Sequence, residues 1–126
     1  EVPGFIANRL QVALLRESLS IVERGIASPQ DVDTVIKSSL GRRWAAAGIF
    51  AVLDFGGWDV LSAVTSNLLP EIESSTELSS LLKEKVERGE LGVKSGKGFY
   101  DYTPSSADEL RNYIQTVLAK LDQLSR

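Results

Sequence analysis

Apolar residues recur at intervals of three and four along most of the chain, which is the spacing of one face of an α-helix. The pattern predicts a long first helix from Pro3 to about Gly25 and a last helix from Ser106 to Ser125. Shorter helices are predicted between them, at about 28–39, 45–54, 58–69 and 78–88. No two segments show the alternation of paired strands, so the sequence predicts an all-α helical bundle with one long central helix.

The segments between the helices contain recognisable start and stop signals. Ser28 is predicted to cap the second helix, with Asp31 as the acidic partner of a capping box. Residues 40–44 are predicted as a connection, because a glycine and two arginines interrupt the apolar pattern. Residues 89–102 contain four glycines and are predicted as a loop that ends in a brief extended piece.

The first helix carries apolar residues on two faces. On a helical wheel one arc contains Phe5, Val12, Leu15, Leu19, Val22 and Ile26, and the second contains Ile6, Leu10, Ala13, Leu14 and Ile21. Such a helix is not expected to present either broad face to water. One face therefore packs on helices of the same chain, and the other packs either on further helices of the chain or on a partner. That partner would be a second subunit or an N-terminal part missing from this chain.

Asn8 interrupts the first arc at a position where the spacing calls for an apolar residue. A carboxamide buried without a hydrogen-bond partner costs roughly 1 to 3 kcal/mol. Asn8 is therefore either a structural residue that hydrogen-bonds a neighbouring loop or a residue that faces a ligand, and the pattern alone leaves both interpretations open.

The chain length favours one domain over residues 1–126. The chain has 126 residues, of which 43% are hydrophobic and 25% charged. Surface scaling gives roughly 20,000 Å² for the unfolded chain and roughly 6,600 Å² for a compact fold, so about two-thirds is expected to be buried. The sequence contains no methionine and enters a helical pattern directly after Glu1, which predicts a piece of a longer protein.

Composition excludes several kinds of chemistry. Histidine and cysteine are absent, which removes Ser/His/Asp and Cys/His triads and leaves a carboxylate site as the remaining option for a metal. The net charge of −3 argues against nucleic-acid binding, which requires a concentrated positive field. No apolar run approaches the roughly 18 residues of a membrane span. We therefore expect no nucleic-acid or membrane partner, no metal, and a cytoplasmic protein.

Several ordered motifs resemble the C-terminal domain of the 3-hydroxyacyl-CoA dehydrogenase family. The matching segments are Pro3 to Leu10, Glu23 to Gly25, Ser28 to Asp33, Gly48 with Phe50, Asp54 with Gly57 to Asp59, and Gly92 to Tyr100. The resemblance covers nearly the whole chain up to Tyr102. It implies a fold like the C-terminal domain of 6-phosphogluconate dehydrogenase, which follows an NAD-binding domain absent from this chain and commonly forms a homodimer.

The resemblance also implies an activity and two site residues. The family oxidises 3-hydroxyacyl-CoA to 3-oxoacyl-CoA with NAD, as in fatty acid or butanoate metabolism, and its catalytic histidine and glutamate lie upstream of the Pro-Gly-Phe motif. The family's active-site asparagine corresponds to Asn8, and Arg9 beside it is expected to form a structural ion pair. The first lysine of the glycine-rich loop corresponds to Lys94, which approaches the pyridine nucleotide. Alternatively, the glycines of this loop provide turn geometry alone, and Lys94 and Lys97 are solvated.

Departures from the family pattern keep other functions open. Ile49 replaces the usual proline and Ala51 stands at an acidic position, so the substrate could be another 3-hydroxy acid, as in gulonate dehydrogenases. A third possibility is a non-catalytic helical dimerisation module. Arg42 and Arg43 either place cations near a CoA phosphate or an acidic partner surface, or they are solvated. The helix after Tyr102 either covers the core of its own subunit or packs on a second copy. The isolated domain is expected to be inactive.

Overall fold

α-Helices make up most of the chain, and 73% of the computed structural model is helical. The structure describes residues 2–124, and no strand occurs within that range. The helices are α1 (Val2–Glu23), α2 (Pro29–Val35), α3 (Gly41–Ala47), α4 (Ile49–Asp54), α5 (Trp58–Leu68), α6 (Ser80–Glu87) and α7 (Pro104–Leu124). The all-α prediction is confirmed. The predicted end of the last helix at Ser125 lies outside the described residues.

Residue contacts divide the chain into two compact units, the first ending at Ser79 and the second beginning at Ser80. The first unit contains α1 to α5. The second contains α6, the glycine-rich loop and α7. The domain boundary of 1–126 stays a prediction.

The start of α2 agrees with its sequence signals. Asp31 N donates to Ser28 Oγ over 3.0 Å, and Ser28 N donates to Asp31 Oδ2 over 3.2 Å. Pro29 occupies the first turn, where a backbone N–H would have no acceptor within the helix, so the lack of an N–H in proline costs no hydrogen bond. The predicted capping box is confirmed.

The predicted connection at 40–44 is wrong, because this stretch is helical. A π-helical turn over Ile36–Leu40 leads directly from α2 into α3. Gly41 makes the turn possible, since a Cβ at this position would lie 2.7 Å from the backbone oxygen of Ile36. Arg42, Arg43 and Trp44 therefore project from a helix rather than from a loop.

α7 begins two residues before its predicted start at Ser106. Thr103 and Ser106 form a reciprocal cap, in which Ser106 N donates to Thr103 Oγ1 over 3.0 Å and Thr103 N donates to Ser106 Oγ over 2.9 Å. Pro104 then occupies the first turn. The cap extends the helix because it satisfies amides that have no partner within the helix.

The predicted burial of about two-thirds of the surface is also wrong. The accessible surface is 10013 Å², well above the roughly 6,600 Å² expected of a compact domain of this mass. Among the described residues, Leu19 and Ala107 are the hydrophobic side chains that are buried. The physical reason is that the two long helices leave apolar side chains open to solvent, including Leu10 of α1 and Leu118 of α7.

Replacement of Gly41 by alanine tests the tight approach in the π turn. We expect Gly41→Ala to lower the free energy of unfolding by about 1 to 3 kcal/mol, because the backbone carbonyl of Ile36 cannot move aside as a flexible side chain would. Gly4→Ala is the matched control, since a Cβ at Gly4 has no other atom within 4 Å. It should be neutral or stabilising by up to about 1 kcal/mol. Denaturant unfolding measures both, and equal stability of the two variants would contradict this account.

Candidate functional site

Asn8 lies on the exposed surface of α1. Within residues 2–124 its carboxamide makes no hydrogen bond with another residue. A structural role in bonding a neighbouring loop is therefore not seen in the described chain. The amide group remains available to a molecule or segment that packs on this face of the helix.

The surroundings of Asn8 are apolar and open. In the first arc Phe5 and Val12 are each 62% exposed, and in the second arc Leu10 is 61% exposed. Arg9 lies with its guanidinium 5.4 Å from the centre of the Phe5 ring, within the range of a cation–π interaction. The expected ion pair of Arg9 is absent from the described residues, and the aromatic ring takes the place of the carboxylate.

The C-terminal half of α1 is held by polar contacts with the segment 71–79. Glu73 accepts a hydrogen bond from the buried Ser20 hydroxyl over 3.1 Å, and its own amide donates to Glu17 Oε1 over 2.7 Å. Further along, Arg24 donates to the Glu71 carbonyl and the Ser79 hydroxyl donates to Glu23. These contacts fix one half of the helix and leave the half that carries Asn8 uncovered.

The middle segment of the first unit forms a small aromatic cluster. Trp58 Nε1 donates to Asp54 Oδ1 over 2.6 Å, and the rings of Phe50 and Trp58 lie 6.4 Å apart. Phe50 is 75% exposed and Phe55 is 95% exposed. The hydrogen bond sets the direction of the indole ring, and the phenyl rings add to the open apolar surface of this unit.

The glycine-rich loop of the second unit folds back on itself. Gly92 N donates to the Lys97 carbonyl over 2.9 Å, and Tyr102 N donates to the Gly96 carbonyl over 2.8 Å. Ser95 Oγ accepts from Leu91 N over 2.8 Å and lies within hydrogen-bonding distance of two loop carbonyl oxygens. These bonds join both ends of the loop to its middle.

Two glycines of this loop are required by its geometry. Gly92 has φ +107°, which side chains rarely adopt. Gly98 is buried against it, and a Cβ at Gly98 would lie 2.9 Å from the Gly92 Cα. The glycines thus serve backbone packing, whereas the role of the lysines is a separate question.

Lys85 of α6 is the residue that ties this loop to its helix. Its Nζ donates to Glu90 Oε1 over 3.0 Å and to the Gly98 carbonyl over 2.8 Å, and it lies 4.8 Å from the centre of the Phe99 ring. The Lys85 side chain is only 14% exposed. The hydrogen bond from Lys85 lowers the pKa of Glu90 below its ordinary value, with help from the positive charge of Lys85 and, further away, of Arg88 and Lys97.

Lys94 lies on a single 3₁₀ turn within this loop, Val93–Ser95, and is exposed. Neither Lys94 nor Lys97 forms an ion pair inside the described range. An exposed cation on a fixed backbone fits a contact with a nucleotide phosphate or ribose, because its charge is not already neutralised. Asn8 belongs to the first unit and Lys94 to the second.

Sequence reasoning missed two residues that organise these regions, Lys85 and Glu73. The available signal for Lys85 was its spacing from Glu90 across Gly89, whose φ of +74° turns the chain back. Glu73 gave no signal, because its partners are more than fifty positions away in the sequence. Arg42 and Arg43 are exposed on α3.

Between residues 2 and 124, no group of three or more acidic side chains is arranged to hold a metal ion. No helix in that range is both long and apolar enough to cross a membrane.

Comparison with known proteins identifies related sequences. A family model described as the C-terminal domain of 3-hydroxyacyl-CoA dehydrogenase matches residues 4–102. The 5-formyl-3-hydroxy-2-methylpyridine 4-carboxylate 5-dehydrogenase of Mesorhizobium japonicum is 37% identical over 111 residues, covering 88% of this chain and 36% of that protein. The probable 3-hydroxybutyryl-CoA dehydrogenase of Bacillus subtilis is 34% identical over 103 residues, covering 81% of this chain and 35% of that protein.

One solved structure is closely similar. The crystal structure of a 5-formyl-3-hydroxy-2-methylpyridine 4-carboxylic acid 5-dehydrogenase, described as an NAD⁺-dependent dismutase, matches with a TM-score of 0.91 at 33% identity. The match covers 96% of this chain and 39% of that one, so it includes most of the residues after Tyr102, where the family match ends. The chain thus spans about a third of the length of the curated relatives it matches.

Proposed function

Since the chain belongs to the 3-hydroxyacyl-CoA dehydrogenase C-terminal domain family, we propose that it is the C-terminal helical part of an NAD-dependent dehydrogenase. The family match over residues 4–102 is the observation that carries this proposal. In the complete enzyme, a preceding domain would hold most of the NAD molecule and the catalytic histidine and glutamate. We expect the isolated 126-residue chain to be inactive for that reason.

In this proposal Asn8 is the active-site contribution of the first unit. Oxidation of a hydroxyl group moves a proton to a base and a hydride to the nicotinamide, so the charge on the substrate oxygen changes during the reaction. A carboxamide can hold the base or the substrate carbonyl in place while that charge changes. The exposed position of Asn8 and its lack of a partner within residues 2–124 support this role.

Lys94 is the proposed cofactor contact of the second unit. Bound NAD would supply the hydride acceptor of the reaction. The part of this chain would be to place a positive charge beside the pyrophosphate or ribose. The exposed 3₁₀ turn on which Lys94 lies supports the proposal, because its backbone is held by the hydrogen bonds of the loop.

The first candidate substrate is a 3-hydroxyacyl-CoA thioester, which would be oxidised to the 3-oxoacyl-CoA. The description of the family and the name of the Bacillus subtilis relative both support it. A second candidate is a small ring carboxylate with a formyl group. It is supported by the similarity to the pyridine carboxylate dehydrogenase, whose solved structure matches 96% of this chain and so extends into α7.

Assays of the complete enzyme separate the two candidates. We expect NADH-dependent reduction of acetoacetyl-CoA with a kcat in the ordinary range of about 1 to 10³ per second. Turnover of 5-formyl-3-hydroxy-2-methylpyridine 4-carboxylate with NAD, and none with acetoacetyl-CoA, would establish the second candidate instead. A well-folded complete protein that turns over neither compound would contradict both substrate candidates and favour the non-catalytic dimerisation module.

Replacement of Asn8 tests its catalytic role. Asn8→Ala in the complete enzyme should lower kcat by up to about 10²-fold, the loss expected for a group that positions reactants. The free energy of unfolding of the 126-residue chain itself should change by less than about 0.5 kcal/mol on this replacement, because the side chain is exposed and unpaired in the described chain. Gln11→Ala, which removes an exposed carboxamide from the same helix, should leave kcat unchanged. A destabilised Asn8 variant with normal activity per folded molecule would restore the structural interpretation.

We also propose that the open second arc of α1 packs on a second copy of the protein. Leu10 is 61% exposed and Ile6 is 50% exposed, so an uncovered arc would leave apolar surface in water. Sedimentation of the complete enzyme at micromolar concentration should give a dimer. Leu10→Glu should shift it to monomer, whereas Gln11→Glu, which adds the same charge at the neighbouring position, should not. A monomeric wild-type protein would contradict self-association.

A further inference from the structure

We propose that Lys85 is a positioning residue. It holds the glycine-rich loop (residues 89–102) so that Lys94, which this loop carries, can contact the cofactor. This inference rests on the proposed function, since it assumes that Lys94 contacts the pyridine nucleotide. Lys85 itself does not touch substrate or cofactor in this account. It acts through the backbone of the glycine-rich loop.

The contacts of Lys85 span the loop that carries Lys94. Glu90 precedes the 3₁₀ turn and Gly98 follows it, and the Lys85 ammonium group hydrogen-bonds to both. The same group lies above the Phe99 ring. One cation from α6 thus joins the entry and the exit of the loop.

The environment of Lys85 differs from that of an ordinary surface lysine. Its side chain is 14% exposed and that of Glu90 is 19% exposed, so this ion pair is shielded more than a fully solvated pair. A lysine has three donors, and two of them are used here, with an aromatic face nearby. Gly98 is buried and presses on Gly92, so the carbonyl that Lys85 holds belongs to the tightest part of the loop.

A loop without this contact would keep its internal backbone hydrogen bonds and its charge but lose its attachment to α6. The glycines allow backbone conformations that other residues resist, and the two lysines of the loop, Lys94 and Lys97, are exposed. Lys94 would then keep its positive charge but spend less time in the position that favours the nucleotide. The expected consequence is weaker cofactor binding with an unchanged chemical step.

The test compares four variants of the complete enzyme by steady-state kinetics. Lys85→Met should raise the KM for NAD about threefold to tenfold and leave kcat within about twofold. Lys94→Gln should raise the same KM by a similar factor. The double variant should show no further increase, because Lys85 acts through Lys94. Lys83→Met, an exposed lysine on the same helix, should match wild type.

The outcomes separate the inference from the proposed function. If Lys94→Gln raises the KM and Lys85→Met does not, the positioning role is overturned and the cofactor contact stands. If neither variant changes the KM, both the cofactor contact and the positioning role fail. If the two effects add in the double variant, Lys85 does not act through Lys94 and the inference fails.

A milder variant covers the case in which Lys85→Met does not fold. Lys85→Gln keeps a hydrogen-bond donor but removes the charge, and it should give a smaller rise in the KM for NAD. An unchanged KM in folded Lys85→Gln, together with a raised KM in Lys94→Gln, would also overturn the inference.

Discussion

The first unit depends on a polar contact at Glu73 more than on an apolar core. The Glu73 carboxylate accepts a hydrogen bond from the buried Ser20 hydroxyl of α1, and the Glu73 backbone N–H donates to the Glu17 carboxylate on the same helix, α1. Ser75 N then donates to the other Glu73 carboxylate oxygen over 3.1 Å. Because these bonds satisfy polar groups that would otherwise lose water without compensation, they hold α1 at one end only. The other end carries Asn8 and its apolar neighbours, and it is exposed in the described chain.

In the second unit a cation, Lys85, has the corresponding role of holding a backbone segment through polar contacts. Glycines occupy the positions of closest backbone approach in the loop of this unit, where a Cβ at Gly98 would lie 2.9 Å from the Gly92 Cα. Backbone hydrogen bonds give the loop its shape, and Lys85 connects that shape to α6. In both units, therefore, a shielded charged side chain organises the backbone while the residues proposed for function remain exposed. This division is expected where function requires a surface rather than an internal pocket.

The sequence predicted the features of this fold that depend on local interactions. The capping box at Ser28 follows from residues within one turn of each other, whereas the equally local cap of Thr103 and Ser106 was missed. The continuous helix through Gly41 was missed because a π turn depends on a close approach that the apolar spacing does not report. Lys85 and Glu73 were missed for a different reason, since their importance lies in contacts that form only after folding. The buried fraction was overestimated because surface scaling assumes a domain that covers its own apolar faces.

The exposed apolar residues around Asn8 determine whether its carboxamide needs a hydrogen-bond partner. An asparagine in water needs no partner, and one in an ordinary core needs a partner from the same chain. Asn8 is in register with an apolar arc that is open in this chain, beside Phe5 and Val12. If a partner covers this arc in the complete protein, the Asn8 carboxamide loses water and must be satisfied by that partner or by a ligand between them. Hydrogen bonds depend on direction, whereas apolar contacts do not. A carboxamide within an apolar contact surface would therefore favour one orientation of the group that packs against it.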